Sequence, residues 1–418
     1  MNLLHHVVPP PGPIRRLVSS SFARSVGHGI LLSVSVLFFL RSVGIPAAQV
    51  GLGLTIAALV GMLASIPAGH AADVLGARNT ATFFVVLQGV LIFTYALVGS
   101  FPAFVVASCL VVLAEASSSA SRGALVAKVV PAGERVAARA FMRSTNNLGV
   151  SIGAVAGGVA LHFDTRPVYL GMLFLSGVLY VGAGLVYLTF PQVPGVAKPA
   201  EGPRLPVLRD KPFVVISLLN TVLMMNAGIL TVGVPIWITE RTAAPTWTFS
   251  AMLVLNTAMV ILFQVRVSKG ADDVVGGARA LQRCGVALAA CCAVFALAAG
   301  RAPWLAVGIL IVGAVVHVLG ELLCAAGGWA LAYELAPEHA IGQYQGLFAT
   351  TEQLSAAITP ALVTALVIGF GWPGWLVLGG LMLAAGAVVP AVARWGLRTR
   401  ERYGVVAVEP VAPSPAAT

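Results

Sequence analysis

The chain has 418 residues, of which 58% are hydrophobic and only 10% charged. A water-soluble domain carries roughly 25% charged residues, so a soluble fold is excluded: too little polar surface exists to cover the core. The formal net charge is +10, but the Lys and Arg residues sit in short gaps between apolar runs, which makes them a topology signal and not a nucleic-acid surface.

Arg15 and Arg16 precede an apolar run of about twenty residues, longer than the core of a signal peptide, so this run is expected to remain as a spanning helix. A spanning helix needs about 20 mostly apolar residues. Six such segments follow one another at 21–42, 48–69, 79–99, 101–124, 137–161 and 167–190. The stretch 191–211, rich in Pro and charge, interrupts the pattern. Six more segments occupy 212–238, 247–267, 277–299, 303–330, 341–367 and 372–395. The expectation is an all-α integral membrane protein. An N-terminal six-helix bundle spans 1–190, a cytoplasmic linker 191–211, a second six-helix bundle 212–395 and a cytoplasmic tail 396–418.

With the N-terminus inside, the outer gaps hold four basic residues, Arg41, Arg166, Arg241 and Arg301, against twenty on the inner side. The bias holds in both halves, so both termini are expected in the cytoplasm. The five cysteines, Cys109, Cys284, Cys291, Cys292 and Cys324, lie in or at the edges of apolar runs without metal-ligand spacing. They read as small buried apolar residues, and no metal or cofactor is expected.

The halves resemble each other weakly. Glu115 lies sixteen residues before Pro131, and Glu321 sixteen before Pro337. The same offset aligns Leu125 with Leu331 and Leu148 with Leu354. Near the loop after the second span, Gly69, Gly76, Ala77 and Arg78 align with Gly270, Gly277, Ala278 and Arg279. Parallel six-helix repeats are a common transporter architecture, with the substrate site between the halves near the midplane.

The segment after the second span reads GHAADVLGAR, with Gly69, Asp73, Gly76 and Arg78. It resembles the G-x-x-x-D-x-x-G-x-R/K signature that members of the major facilitator superfamily carry between helices two and three. The fifth span places Gly149, Gly153, Gly157 and Gly158 in a pattern similar to the glycine-rich helix of the twelve-helix drug–proton antiporters. That family's proline after the central glycine is absent, as is the Gln-Gly partner of Arg122. The resemblance implies two pseudo-symmetric bundles and alternating access. It also implies a cytoplasmic gate at the loop motif: Asp73 accepting from the amides of a neighbouring helix start, the glycines permitting close approach, and Arg78 supplying a breakable ion pair.

Ionisable groups at membrane depth cost about 2.5–3.5 kcal/mol on insertion scales and usually face a cavity. Glu115, Arg122, His317, Glu321 and Glu352 are the candidates for proton coupling. Glu115 and Arg122 share a helix face two turns apart, and His317 and Glu321 are i,i+4 neighbours. Arg135, Arg139 and Arg143 recur every four residues and read as an inner-leaflet anchor ahead of a substrate clamp. Candidates to line a substrate cavity are His28, Asn146, Asn147, Asn220, Asn226 and Asn256. Met224, Met225, Met252 and Met259 lie near the last three and read as lipid-facing or packing residues ahead of an adaptable lining.

These features point to a secondary transporter of the plasma membrane, working as a monomer. No G-x-x-x-x-G-K-[ST] sequence is present, so a proton gradient is the expected energy source. Export of a drug-like or natural-product molecule is the leading expectation; uptake of a small polar nutrient by symport or uniport is the alternative. A membrane enzyme or a sensor is disfavoured, because no H-E-x-x-H sequence, paired-cysteine site or serine–histidine arrangement is found. The orientation is checked by cysteine labelling in a cysteine-free background. Ala200→Cys and Val411→Cys are expected to resist impermeant reagents applied to intact cells, and labelling of either from outside would reverse the orientation.

Overall fold

The computed structural model describes residues 11–192, 194–195 and 205–403. Residues 193 and 196–204 of the expected linker and 404–418 of the expected tail lie outside the described residues. Twelve long helical segments follow in chain order: α1 Pro13–Val43; α2 in two arms, Ala47–Met62 and Ser65–Leu75; α3 Ala77–Leu97; α4 Phe101–Val129; α5 Arg135–Phe163; α6 Arg166–Thr189; α7 Lys211–Arg241; α8 Trp247–Val267; α9 Val274–Ala296; α10 Pro303–Glu334; α11 Ile341–Phe370; and α12 Trp372–Arg398. No strand occurs among the described residues. Ten of the twelve are individually long and apolar enough to cross a membrane, and the two arms of α2 qualify together. The exception, α5, has the required length but carries three arginines and an Asn pair.

Local irregularities have local causes. The arms of α2 meet at a 41° bend. Pro67 lies four residues after Leu63, where its ring clashes with the Leu63 carbonyl and its missing N–H removes a helical bond. The bend falls at that point, bridged by short bonds from Leu63 N to Val60 O and Ala64 N to Gly61 O. In α7 a π-helical stretch, Ile229–Gly233, precedes Pro235 and absorbs the same defect. Trp237 just beyond it packs edge-on against Trp375 and donates to the Phe295 carbonyl at 2.8 Å.

Helices α1 and α5 pack together, as do α3 and α6, and α2 and α4; the equivalent pairs α7–α11, α9–α12 and α8–α10 repeat the arrangement. Between the halves α2 meets α11 and α5 meets α8, and these two contacts exchange when six is added to or subtracted from each number. The weak internal repeat thus corresponds to a structural one. Arg16 donates to Thr189 O at 2.8 Å, and Arg400 to Glu334 O, so the start of α1 and the ends of α6, α10 and α12 share one face. This face holds most of the basic residues and is called the basic face. At the opposite face Arg41 and Asp164 pair at 2.7 Å. The Tyr169 hydroxyl and then Arg41 hold the exposed Asp164 carboxyl below its ordinary range.

In lipid, helices associate through van der Waals fit, so small residues let backbones approach. Gly149, Gly153 and Gly157 form one such stripe on α5, seated against Ser25, Gly29 and Ser33 of α1. A Cβ at Gly153 would run into the Val26 carbonyl. Gly158, included in the glycine pattern by sequence, points into open space and takes no part, because it lies 100° round the helix from Gly157. Gly153→Val is expected to cost about 1–3 kcal/mol by overpacking and to lower the thermal unfolding midpoint in detergent. Gly158→Val is expected to leave that midpoint unchanged, and equal effects would refute the packing account.

Candidate functional site

Between the halves lies a cavity of about 780 Å³. Its walls are mostly apolar: Leu54, Ala58 and Leu59 on α2, Val112 on α4, and Ala357 and Pro360 on α11. Pro360 cannot donate to the carbonyl of Ala356, and both residues line the cavity. Polar groups converge on it from Arg24 and His28 on α1, Glu115 and Arg122 on α4, Asn146 on α5 and Glu352 on α11, with Thr55, Ser119 and Gln353 beside them. A polar recess of about 370 Å³ adjoins it, sharing Arg24, Arg122, Asn146 and Glu352 and adding Arg139, Arg143, Asn147 and Trp329.

Toward the basic face the cavity is shut by bonds between the halves. Asp73 Oδ1 accepts from Gly342 N at 2.7 Å and Oδ2 from Gln343 N at 3.0 Å. These are unsatisfied amides at the start of α11, where a carboxylate is favoured by the helix dipole. Gly69 lies directly on Gly342, leaving no room for a Cβ on either, and Gly346 sits as tightly on Ser65. Lys128 donates to Glu338 O at 3.1 Å, and the Tyr333 hydroxyl to Gly123 O at 3.3 Å. Gln353 Nε2 reaches Ser65 Oγ at 3.4 Å. Beside this seal Tyr344 donates to Asp210 at 2.7 Å, and burial pushes the Asp210 carboxyl up against the opposing effect of that bond. These bonds tie the inner ends of α2 and α4 to α10, α11 and the turn between them.

Two of the motif's details differ from the expectation. Gly69 and Asp73 sit on the last turns of α2 and not in a loop, and only Gly76, at φ 93°, makes the turn. Among the described residues Arg78 forms no ion pair with a carboxylate. It donates to Phe190 O at 3.0 Å and to Asn79, tying α3 to the end of α6 within one half. His70, which the sequence reading passed over, meets Gln343 Nε2 at 3.0 Å.

A second tie crosses the halves where α5 meets α8 and α10. Arg143 Nη2 lies 2.5 Å from Glu321 Oε1, and Asn256 donates to Oε2 at 2.6 Å. His317 Nδ1 is 3.9 Å from the same carboxylate, while its Nε2 meets Asn226 O at 2.9 Å. Ser144 Oγ adds a bond to Val260 O at 3.2 Å. Glu115 is placed differently: its side chain is 41% exposed against 17% for Glu321, and its nearest ionisable partner is His28 Nδ1 at 4.0 Å. His28 also meets the Tyr180 hydroxyl at 3.2 Å.

Of the residues expected to line the cavity, His28 and Asn146 do so and Asn147 lines the recess. Asn220 and Asn226 do not. Asn220 is buried and donates to Thr351 Oγ1 at 3.3 Å, and Asn226 is buried with its amide on Leu223 O at 2.8 Å, where α7 leaves regular helical bonding. Asn256 serves Glu321. None of the four methionines near them is among the cavity-lining residues. The arginine face of α5 is not a lipid anchor. Arg135 and Arg139 lie over the rings of Tyr333 and Trp329 at 6.0 and 5.6 Å, and Arg143 holds Glu321, so the face is turned inward onto α10. The spacing of three arginines marks a helix face but not which way it points.

The family model described as Major Facilitator Superfamily matches residues 17–360. No curated protein matches the chain. Solved structures of similar fold include the human organic anion transporter MFSD10, at 15% identity and TM-score 0.68 over 91% of this chain and 100% of that one. A bacterial homologue of the iron transporter ferroportin in its outward-facing state has 15% identity and TM-score 0.73, over 92% and 99% of the two chains. The E. coli fucose:proton symporter FucP has 14% identity and TM-score 0.65, over 92% and 98%. The match over most of the chain, with twelve helices in two related halves around a central cavity, means that the chain belongs to the Major Facilitator Superfamily and is a membrane transporter of a small-molecule substrate, not an enzyme.

Proposed function

We propose that the protein exports an amphipathic organic molecule, drug-like or a natural product, across the plasma membrane in exchange for protons. The positive-inside bias puts the basic face in the cytoplasm. The cavity is then closed to the cytoplasm and directed outward, one of the two states that alternating access requires. The lining joins apolar surface to a set of converging polar groups, which suits an amphipathic cargo. The chain acts as a monomer in this reading, since the cavity is completed within one copy.

The observation that carries proton coupling is the Arg143–Glu321 pair. It joins the two halves while the cytoplasmic side is shut. A proton on Glu321 abolishes the ion-pair attraction and leaves the charged guanidinium against a neutral carboxyl, a weaker tie than the pair. Protonation therefore favours the parting of α5 from α8 and α10, and so the opening toward the cytoplasm. There the proton leaves and cargo enters, and the reformed pair closes the inner side again. Glu115, facing the cavity beside His28, is the second carboxylate within reach of outside protons.

Deletion and overexpression strains screened against a compound panel identify the cargo. Export predicts lower intracellular accumulation on overexpression, and higher accumulation of a nutrient would favour uptake. With the cargo in hand, Glu321→Gln in proteoliposomes is expected to abolish accumulation driven by a pH gradient while exchange continues. If Glu321→Gln and Glu115→Gln, alone and together, concentrate cargo with wild-type pH dependence, neither carboxylate couples.

Asp73→Asn is expected to insert normally yet slow transport about tenfold at equal protein level. An amide offers one acceptor where two backbone donors wait, and a loss of about 1.4 kcal/mol corresponds to that factor. Wild-type rates in this variant would mean that the α2–α11 bonds do not limit the cycle.

A further inference from the structure

The recess at the inner end of the cavity is cationic. Arg24, Arg122, Arg139 and Arg143 all line it, with Glu352 its one lining carboxylate. Arg143 is neutralised by Glu321. The other three lie within 4.0 Å of no carboxylate oxygen among the described residues. Glu352 makes no hydrogen bond or ion pair there, so it does not neutralise them in this conformation. Glu115 and His28 are the remaining ionisable groups of the adjoining chamber, and they face each other at 4.0 Å.

The three guanidiniums keep donors in reserve. Arg24 Nη2 donates to Asn146 Oδ1 at 3.1 Å, and Arg122 Nε to Ser118 O at 3.1 Å. The Arg139 guanidinium lies over the Trp329 ring at 5.6 Å. The Nε atoms of Arg24 and Arg139 are buried and have no hydrogen-bond partner. A guanidinium is a planar fork of donors with no acceptor, matched to a carboxylate, sulfonate or phosphate. Like charges converging at membrane depth with unused donors are stabilised by an anion in their midst.

We propose that this recess binds the acid group of the cargo, so that the transported molecule is an amphipathic organic anion with its acid on Arg24, Arg122 and Arg139 and its apolar body in the chamber beyond. The chamber supplies the second half of the match: Leu54, Leu59, Val112 and Ala357 line about 780 Å³ next to the recess. The proposal rests on the transporter reading and narrows its substrate class. Arg24, Arg122 and Arg139 belong to α1, α4 and α5 of one half, while Trp329 and Glu352 come from the other. An anion seated here touches both halves, which is the position a cargo needs to influence their movement.

Fluorescein and rhodamine 123 share a xanthene body and carry opposite charge, and they serve as probes. Equilibrium binding to the purified full-length protein, without any gradient, is expected for fluorescein and not for rhodamine 123. It should weaken with added salt. Arg24→Gln, Arg122→Gln and Arg139→Gln are each expected to weaken fluorescein binding tenfold or more. Arg122→Lys, which keeps the charge but not the fork, is expected to fall between. Monodispersity and thermal midpoint of each variant separate lost binding from lost folding, and fluorescein should raise the wild-type midpoint. Equal or tighter binding of rhodamine 123, no binding of fluorescein, or arginine variants that lose stability with unchanged fluorescein affinity would overturn the proposal. Failure of proton-driven export with fluorescein binding intact would sink the exporter reading and leave the anion site standing.

Discussion

A charged side chain in hydrocarbon must be paired or turned to water, and the bundle satisfies that constraint with the same few groups that define its site. Arg143 and Glu321 neutralise each other across the two halves. Asp73 lies at a helix end, where the amides of α11 solvate it. Glu115, Arg122, Arg24 and Glu352 face the cavity. Apolar helices could pack in many registers with little preference among them. Groups that tolerate only one kind of surrounding reduce that choice, and so they set where α5 meets α10 and where α2 meets α11.

Two of the contacts between the halves, α2–α11 and α5–α8, are equivalent in topology and different in chemistry. At α2–α11 a carboxylate is held by backbone donors over a glycine-on-glycine crossing. At α5–α8, with α10 beside it, a carboxylate is held by a guanidinium and an amide side chain. The first arrangement keeps its donors whatever the pH and loses only the acceptor's charge. The second consists of side chains that can separate and be solvated once the carboxylate is neutral. In the exchange cycle proposed above, this difference assigns the proton-sensitive role to the second contact and a geometric latch to the first.

Ten of the spans were legible because length and hydropathy decide them, whereas α5, with its three arginines, was legible only by its length and its place in the series. Asp73 was singled out because GHAADVLGAR resembles the superfamily signature, and a carboxylate there suits the amides of a helix start. Direction around a helix was harder to read. Arg135, Arg139 and Arg143 announce a face by their spacing, but whether it meets lipid or α10 depends on partners far away in the chain. Asn220 and Asn226 share that difficulty: a buried amide bonding Thr351 or the Leu223 carbonyl has the same local sequence as one facing a cavity. The bend of α2 was written in Pro67, four residues beyond it, yet a hydropathy pattern carries no trace of it. His70 gave no signal at all, since its partner Gln343 is distant in sequence.

The internal repeat sets Glu115 and Glu321 on equal footing, and the fold separates them. Both occupy the inward side of the fourth helix of their half, so sequence symmetry assigns them one role. What differs is the helix opposite. Arg143 on α5 reaches Glu321 on α10, but the counterpart helix α11 offers Glu115 no arginine, because at the repeat offset Ala349 stands where α5 carries Arg143. One carboxylate is therefore enclosed in a tie between the halves, and the other is left at the cavity wall beside His28. A duplicated scaffold supplies two identical places for a charge, and it is the loss of identity in the facing helix that gives the two places different work.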